Sequence, residues 1–413
     1  MKKLLTSLLV PFMLTTNACN EPGKSPDVSK ETNTPAIGTF GYDLQFLEKF
    51  DQVVVLKTAD SEAQVIVSPK YQGKVFTSTA ANLQGASFGW VNYKAFSAPV
   101  DAHMNAYGGE NRLWLGPEGG RFSLYFKPDS KMVFENWKTP ADIDTASWNV
   151  LQKNDQSVTL QKHMQLVNYT GTNLILTVDR TISILDKQQI KDRIGLAPDS
   201  SVRSIGYETV NVITNNSNIA WTEKTGMPCL WLLDMFKPSP GTVIVVPFNN
   251  ANRDSFDLIA TTNYFGEIAA ERLKHNDSTL FFKADGQSRG KLGIKPGKAK
   301  PVAGSYDAAG KILTVILFDV EPGARYLNQE WNTSKPSFSG DAVNAYNDGP
   351  LADGSQMGPF YEIESVSPAA FLKPAESQTH HHAVFHFTGD EKGLDQIAQK
   401  LLGVNLQTIR QQF

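Results

Sequence analysis

Along the chain, short apolar runs alternate with glycine, asparagine, aspartate and proline, and helical spacing is scarce. Residues 52–56, 64–67, 157–160, 174–178, 242–246 and 312–317 form such runs, rich in β-branched side chains. Runs of this kind bounded by turn formers predict strands, and their succession predicts an all-β, mainly antiparallel architecture. Between Val158 and Ile184 the pattern predicts a hairpin. Thr159, Gln161, His163 and Gln165 alternate with mostly apolar positions, and residues 168–173 supply the turn. Helical spacing is confined to two segments, residues 43–50 (Leu44, Phe46, Leu47, Phe50) and residues 392–402 near the C-terminus (Leu394, Ile397, Leu401, Leu402). With no internal repeat, residues 39–413 read as a single domain. A β domain of that size requires two sandwiches or one unusually wide one.

The first residues break this pattern. Lys2 and Lys3 precede an apolar run from Leu4 to about Leu14, and Ala18 stands directly before Cys19. Basic residues, a short apolar core and a small residue at the cut predict a secretory signal peptide over residues 1–18. The core falls short of the roughly 20 apolar residues of a membrane span. A cysteine at the cut predicts lipidation of Cys19, against an ordinary cleavage that leaves a free thiol. Two acyl chains suffice for stable anchoring. Residues 19–38, rich in Pro, Ser, Thr, Asn and Lys, then read as a flexible tether. The expected location is the cell envelope, on the outer membrane or the periplasmic side, with the membrane a partner through the lipid on Cys19.

Charge and cysteine content narrow the functions. The net charge of −3 gives no reason to expect nucleic acid as a partner. Cys19 and Cys229 are the two cysteines; with Cys19 lipidated, Cys229 has no disulfide partner and no Cys-based metal site forms. The glycine pairs Gly108–Gly109 and Gly119–Gly120 match no phosphate-cradle spacing, and no nucleophile elbow or HExxH helix occurs. No metal or other cofactor is expected, and the oligomeric state is left open.

Candidate chemistry lies in three stretches where polar residues and glycines crowd among aromatics: residues 101–120, 340–350 and 360–382. In the first, residues 112–115 read as a strand with Arg112 and Trp114 on one face. A guanidinium donates to sugar hydroxyls while an indole covers the apolar face of a sugar ring. The alternative is an Arg stacked on Trp at a sheet edge. Asn105 and Glu118 from this stretch, and Asn347 and Asp348 from the second, are further candidate sugar contacts. In the third, Glu362 and Glu364 share a strand face about 7 Å apart. Two buried neighbouring carboxylates raise each other's proton affinity, which suits general-base work; a solvated strand face is the alternative. His103 is a candidate general acid or sugar contact, or a hydrogen-bonded structural histidine. His163 reads as an exposed strand residue. Of His380, His381 and His382, only the first and last share a face, with no acidic third ligand in view, so structural or surface roles are expected.

Taken together, the stretch from Gly108 to Glu118 and the later Tyr361-Glu-x-Glu-Ser-x-Ser-Pro segment, followed by Leu372-Lys-Pro-Ala-Glu-Ser, resemble the galactose mutarotase-like superfamily. The chain is most similar to its exported bacterial families of unknown function, of the kind found in Bacteroidota. The resemblance implies a β-supersandwich with a concave sugar-binding face, Arg112 as the sugar-contacting arginine and Glu362 or Glu364 as the base. Such a base takes the proton of the anomeric hydroxyl while an acid protonates the ring oxygen; the ring opens, turns and closes as the other anomer. A histidine usually supplies that acid, and the best-matching segment here, residues 226–231, carries Cys229 near its position. Ala375 replaces the glycine of the family's late turn.

These readings imply a carbohydrate ligand. One expectation is an aldose 1-epimerase-like isomerase in which Glu362, Glu364, Arg112 and His103 converge. Another is a non-catalytic glycan-binding lipoprotein of a polysaccharide-uptake system, with an aromatic platform drawn from Trp90, Trp114, Trp331 and Tyr346. A glycoside hydrolase or lyase is a third, because sugar-cleaving enzymes also use this fold.

Overall fold

The strands expected from the alternating pattern form, and every ladder among the described residues is antiparallel. The computed structural model describes residues 35–413. The signal peptide, Cys19 and most of the tether expected over residues 19–38 lie outside the described residues.

Two large sheets carry the architecture. The first has ten strands in the order Leu273–His275, Thr279–Lys283, Thr242–Pro247, Val302–Asp307, Ile312–Phe318, Ser377–Gly389, Val202–Asn215, Asn173–Ile184, Ser157–Val167 and Asn149–Lys153. The second has six: Ala260–Thr261, Gly290–Ile294, Val343–Asn347, Tyr361–Val366, Cys229–Phe236 and Arg112–Gly116. A small sheet of Val54–Lys57, Gln64–Ser68 and Lys74–Thr79 packs beside them. This is the single wide sandwich rather than two separate ones. The expected hairpin pairs Val158 with Ile182 and Leu166 with Leu174.

Period-two alternation sorts side chains between layers. On Ser377–Gly389, Val384 enters the core between the two sheets, whereas Phe385 and Phe387 point to the opposite face. That outer face is covered by helices. Glu391–Leu402 lays Leu394, Ile397, Ala398 and Leu402 on it, starts at an Asp390 cap and ends at Gly403 in the left-handed region (φ 72°). Four helices escaped the sequence reading, among them the four-residue Ala141–Asp144 and Phe256–Ile259. Lys187–Ile194 buries only Ile190 and Ile194, and Leu406–Arg410 is too short to display a period. The N-terminal helix runs Phe40–Leu47 instead of the expected 43–50, because the Thr39 hydroxyl accepts from the Tyr42 amide and fixes an earlier start.

Between the sheets runs a polar seam. Ser365 Oγ lies 2.9 Å from His380 Nε2 and 2.8 Å from His382 Nδ1, and His382 Nε2 lies 2.7 Å from Asp234 Oδ2. Asp234 also accepts from Asn111 Nδ2 at 2.5 Å, and Asn111 in turn accepts from Arg180. Serine, imidazole and carboxylate stand here in the order of a hydrolase triad. All three are fully enclosed, and the serine is shared between two imidazoles. Burial and the neighbouring His382 push His380 down to about 3, so its imidazole is neutral. These groups fasten sheet to sheet, and they do so one residue away from Arg112, Glu364 and Leu233. Buried polar groups that pair from sheet to sheet favour one register, so the seam holds in place the strands that form the site, although His380 Nδ1 and Arg180 Nε find no partner in it.

Candidate functional site

The six-stranded sheet turns its other face toward a cavity. Register places Glu362 opposite both Tyr346 and Met235, and Glu364 opposite Asn344 and Leu233. Further out, Arg112 stands opposite Leu233, Trp114 opposite Trp231, and Lys291 opposite Tyr346. Five strands remote in sequence therefore present one surface in which cations and carboxylates alternate.

Two ion pairs form the floor. Arg112 donates to Glu362, and its guanidinium lies 5.1 Å from the centre of the Trp114 ring. Lys291 Nζ lies 2.9 Å from Glu364 Oε2, which also accepts from Trp231 Nε1 at 2.8 Å. Among the buried atoms around this floor, Glu364 Oε1, Arg112 Nε, Trp114 Nε1 and Trp137 Nε1 have no partner within the protein. Buried donors and acceptors are normally paired, so this surface is equipped for a polar ligand.

Above the floor a deep chamber of about 120 Å³ is walled by Trp114, Trp137, Trp231, Trp331 and Phe360. It shares Glu118, Arg289, Lys291 and Tyr346 with a wider outer chamber of about 700 Å³. Glu118 reaches the rim because the backbone at Gly119 touches the neighbouring loop. A Cβ at Gly119 would lie 2.2 Å from the Glu330 carbonyl oxygen, so only glycine fits. The Glu118 amide donates to Gln329 Oε1 at 2.7 Å and ties the two loops together.

Burial dominates the electrostatics. It pushes the Glu362 carboxyl up to about 7, against the pull of Arg112 and with help from the Glu364 charge. Burial also raises Glu118, opposed by Lys291. For Lys291 burial works downward, but the charges of Glu364 and Glu118 outweigh it and leave the ammonium held above its ordinary value. Asp348 is raised by burial while its bonds to Tyr346 and the Gly358 amide act against the rise. A carboxyl near neutrality beside a firmly protonated amine can both accept and return a proton at working pH.

The structure gathers six of the sequence candidates. Arg112, Trp114, Glu362 and Glu364 line the deep chamber, Glu118 lines both chambers, and Asp348 lines the outer one. The carboxylates face this cavity rather than bulk solvent, and Arg112 is at once stacked on Trp114 and paired with Glu362. The other candidates stand elsewhere. Asn105 binds Asp144 Oδ2 at 2.7 Å and the Asp101 carbonyl at 3.1 Å, locking a loop. Asn347 is turned to the inner face, where its amide spans the Gly286 amide at 2.9 Å and the Ser288 carbonyl at 2.8 Å. His103 does not line the cavity; its ring stacks on Phe134 at 4.7 Å. Cys229 pairs with Gly116 in register, is fully buried, and has its thiol pushed up to about 12 by burial. Of the expected platform, Trp114, Trp331 and Tyr346 line the chambers, whereas Trp90 packs on Phe360 at 4.9 Å. His163 is exposed, as expected, and His380 and His382 belong to the seam.

Lys291, Arg289, Trp137 and Trp231 escaped the sequence reading. Lys291 and Trp231 sit within short apolar strands, and only the pairing across the sheet reveals that they meet the glutamates.

Residues 38–413 match DUF6786, described as a family of unknown function. Among solved structures, the Slr1438 protein of Synechocystis sp. PCC 6803 is similar with a TM-score of 0.51 at 13% identity, covering 82% of this chain and 96% of that one. A candidate aldose 1-epimerase of Escherichia coli K12 gives 0.49 at 12% identity, covering 81% and 98%. A galactose mutarotase-like protein of Lactobacillus casei ATCC 334 gives 0.45 at 10% identity, covering 81% and 99%. Among curated proteins none matches the chain. The likeness to the Synechocystis protein is one of fold, in keeping with the antiparallel supersandwich described above.

Proposed function

We propose, for a chain that belongs to the DUF6786 family of unknown function, that the cavity binds a carbohydrate and that Glu362 moves a proton on it, as in an aldose 1-epimerase-like isomerase. The observation that carries this reading is the floor itself: Arg112–Glu362 and Lys291–Glu364 alternate beneath aromatic walls, with unpartnered donors and acceptors between them. Hydroxyls need such donors and acceptors, and the C–H face of a sugar ring needs the indoles.

In this reading Glu362 takes the proton of the anomeric hydroxyl as the C1–O bond to the ring oxygen breaks and the carbonyl forms. A protonated group, Lys291 or Glu118, gives a proton to the released ring oxygen. Rotation about C1–C2 and the reverse transfers close the ring as the other anomer, and no net proton is consumed. Arg112 keeps the Glu362 carboxylate charged enough to act as base and orients it. A binding-only role is favoured by one observation: among the described residues no histidine lines either chamber.

The test is a glycan-array screen of the full chain, followed by anomer exchange measured by NMR saturation transfer on a bound sugar. Glu362→Gln should slow exchange by about 100-fold or more, the usual contribution of a positioned acid–base group. Exchange as fast in E362Q as in the parent would sink the catalytic role and leave binding alone. If no glycan binds, the carbohydrate reading goes as well.

The same proposal places the domain on the cell envelope, exported by residues 1–18 and held by lipid on Cys19. Cys19→Ser should release the chain from the membrane fraction into the soluble fraction; retention at the membrane would contradict the anchor.

A further inference from the structure

Resting on the carbohydrate reading above, we infer that the ligand is a sugar chain, with one unit in the deep chamber and the next laid against Phe134 at the mouth.

Phe134 is a large apolar side chain that is nevertheless 58% exposed, and it lines both chambers. It is held in place. Its ring stacks on His103 at 4.7 Å with planes 7° apart, and it lies 6.2 Å and 21° from Trp137. Trp137 in turn lies 5.9 Å and 25° from Trp331. These near-parallel rings begin in the buried wall of the cavity and end in solvent. Across the opening stand two more exposed apolar side chains, Phe265 at 39% and Met357 at 42%. The Arg289 guanidinium sits 4.0 Å from the Phe265 ring centre and steadies it.

Volume supports the same conclusion. The chamber that touches Arg112 and Glu362 holds about 120 Å³, whereas the outer one holds about 700 Å³ and does not reach them. A ligand confined to the charged floor would leave the larger space and its rings without a function. Exposed apolar side chains clustered at a cavity mouth mark a surface that becomes covered. The polar groups set among these rings, Asp101, Gln329, Asp348 and Gln356, pair with hydroxyls more readily than with lipid or a flat protein surface. Stacked rings with polar groups between them suit a run of sugar units. His103 thereby gains a positioning role: it braces Phe134 from outside the cavity.

The experiment titrates the full chain calorimetrically with a ladder of one to six units of each oligosaccharide series that binds on the array, for the parent and for Phe134→Ala. Affinity should rise by roughly tenfold from one unit to two or three, the scale of one aromatic stacking contact with its buried area. F134A should pull the ratio of long-chain to single-unit affinity toward one. Phe265→Ala, at the opposite rim, provides a second reading of the same ratio. Equal affinity for one unit and for the longer members in the parent would overturn the inference while leaving a monosaccharide site intact. An unchanged ratio in both variants would also overturn it. If no member of any ladder binds, the carbohydrate reading fails and this inference fails with it.

Discussion

Replacing Arg112 by leucine should lower folding stability by about 3–5 kcal/mol at pH 8, the cost of removing one partner from a buried ion pair. Arg112 and Glu362 are only 5% and 6% exposed, and nothing else among the described residues donates to Glu362. The stranded carboxylate must either remain charged in a poorly hydrated place or take up a proton. R112L should therefore be less damaging at pH 5, where protonation is easy, than at pH 8. Adding Glu362→Gln removes the stranded charge, so the double variant should be more stable than R112L alone at pH 8. Chemical denaturation of the four proteins gives the coupling energy directly. Strictly additive losses would mean that the two side chains do not depend on each other, against the geometry. The same substitution should weaken glycan binding by more than about tenfold, since hydrogen bonds from a charged donor are worth roughly 1.5–3 kcal/mol.

The strands that hold this pair were readable in the sequence because one buried face makes period-two alternation visible. Arg112 with Trp114, and Glu362 with Glu364, could be placed on common faces from their spacing alone. That the two faces coincide could not. It depends on Cys229–Phe236, which pairs with Tyr361–Val366 on one side and Arg112–Gly116 on the other. Those three strands are more than a hundred residues apart in sequence, and no local pattern encodes their order. Lys291 illustrates the same gap: on its strand it is a lone cation among glycine, leucine and isoleucine, and its meaning comes from Glu364 two strands away.

Polar type alone misled in the other direction. Asn105 and Asn347 have the chemistry of sugar contacts, but each spends its amide on holding backbone in place. A sequence does not distinguish an amide that faces a cavity from one that closes a loop. The strand helps only where the neighbour's orientation is known: Asn347 follows Tyr346, which faces the cavity, so it must face the core. Cys229 belongs to the same lesson. Its side of the strand is that of Trp231 and Leu233, but Gly116 lies against its sulfur, where a Cβ would come within 2.8 Å. Packed there with a thiol near 12, it supplies no proton at neutral pH. In the proposed reaction the acid is therefore Lys291 or Glu118, both at the chamber.

Glu362 should also impress a pH dependence on stability that its amide analogue lacks. In the unfolded chain its carboxyl titrates at the ordinary value of 4.5, and in the folded protein at about 7. Between these values the folded state keeps a proton that the unfolded state has released. The contribution is thus fully present below 4.5 and is lost as pH rises through about 7. Its size is about 2–4 kcal/mol, and it acts against folding as pH increases. Asp341, raised by burial to about 6, slopes the same way, as do Glu118 and Asp348. A stability profile of the parent alone would mix all of these with Asp144, which burial also raises. The difference between parent and E362Q cancels the others, so E362Q should gain on the parent by that amount between pH 4.5 and pH 8. Parallel profiles would show that Glu362 ionises normally, and the base would then have to be sought elsewhere on the floor. If the profiles diverge as expected and anomer exchange in the parent rises through the same window, one ionisation governs both. The charge that destabilises the fold is then the charge that does the chemistry, and the Arg112 pair is what allows the fold to carry it.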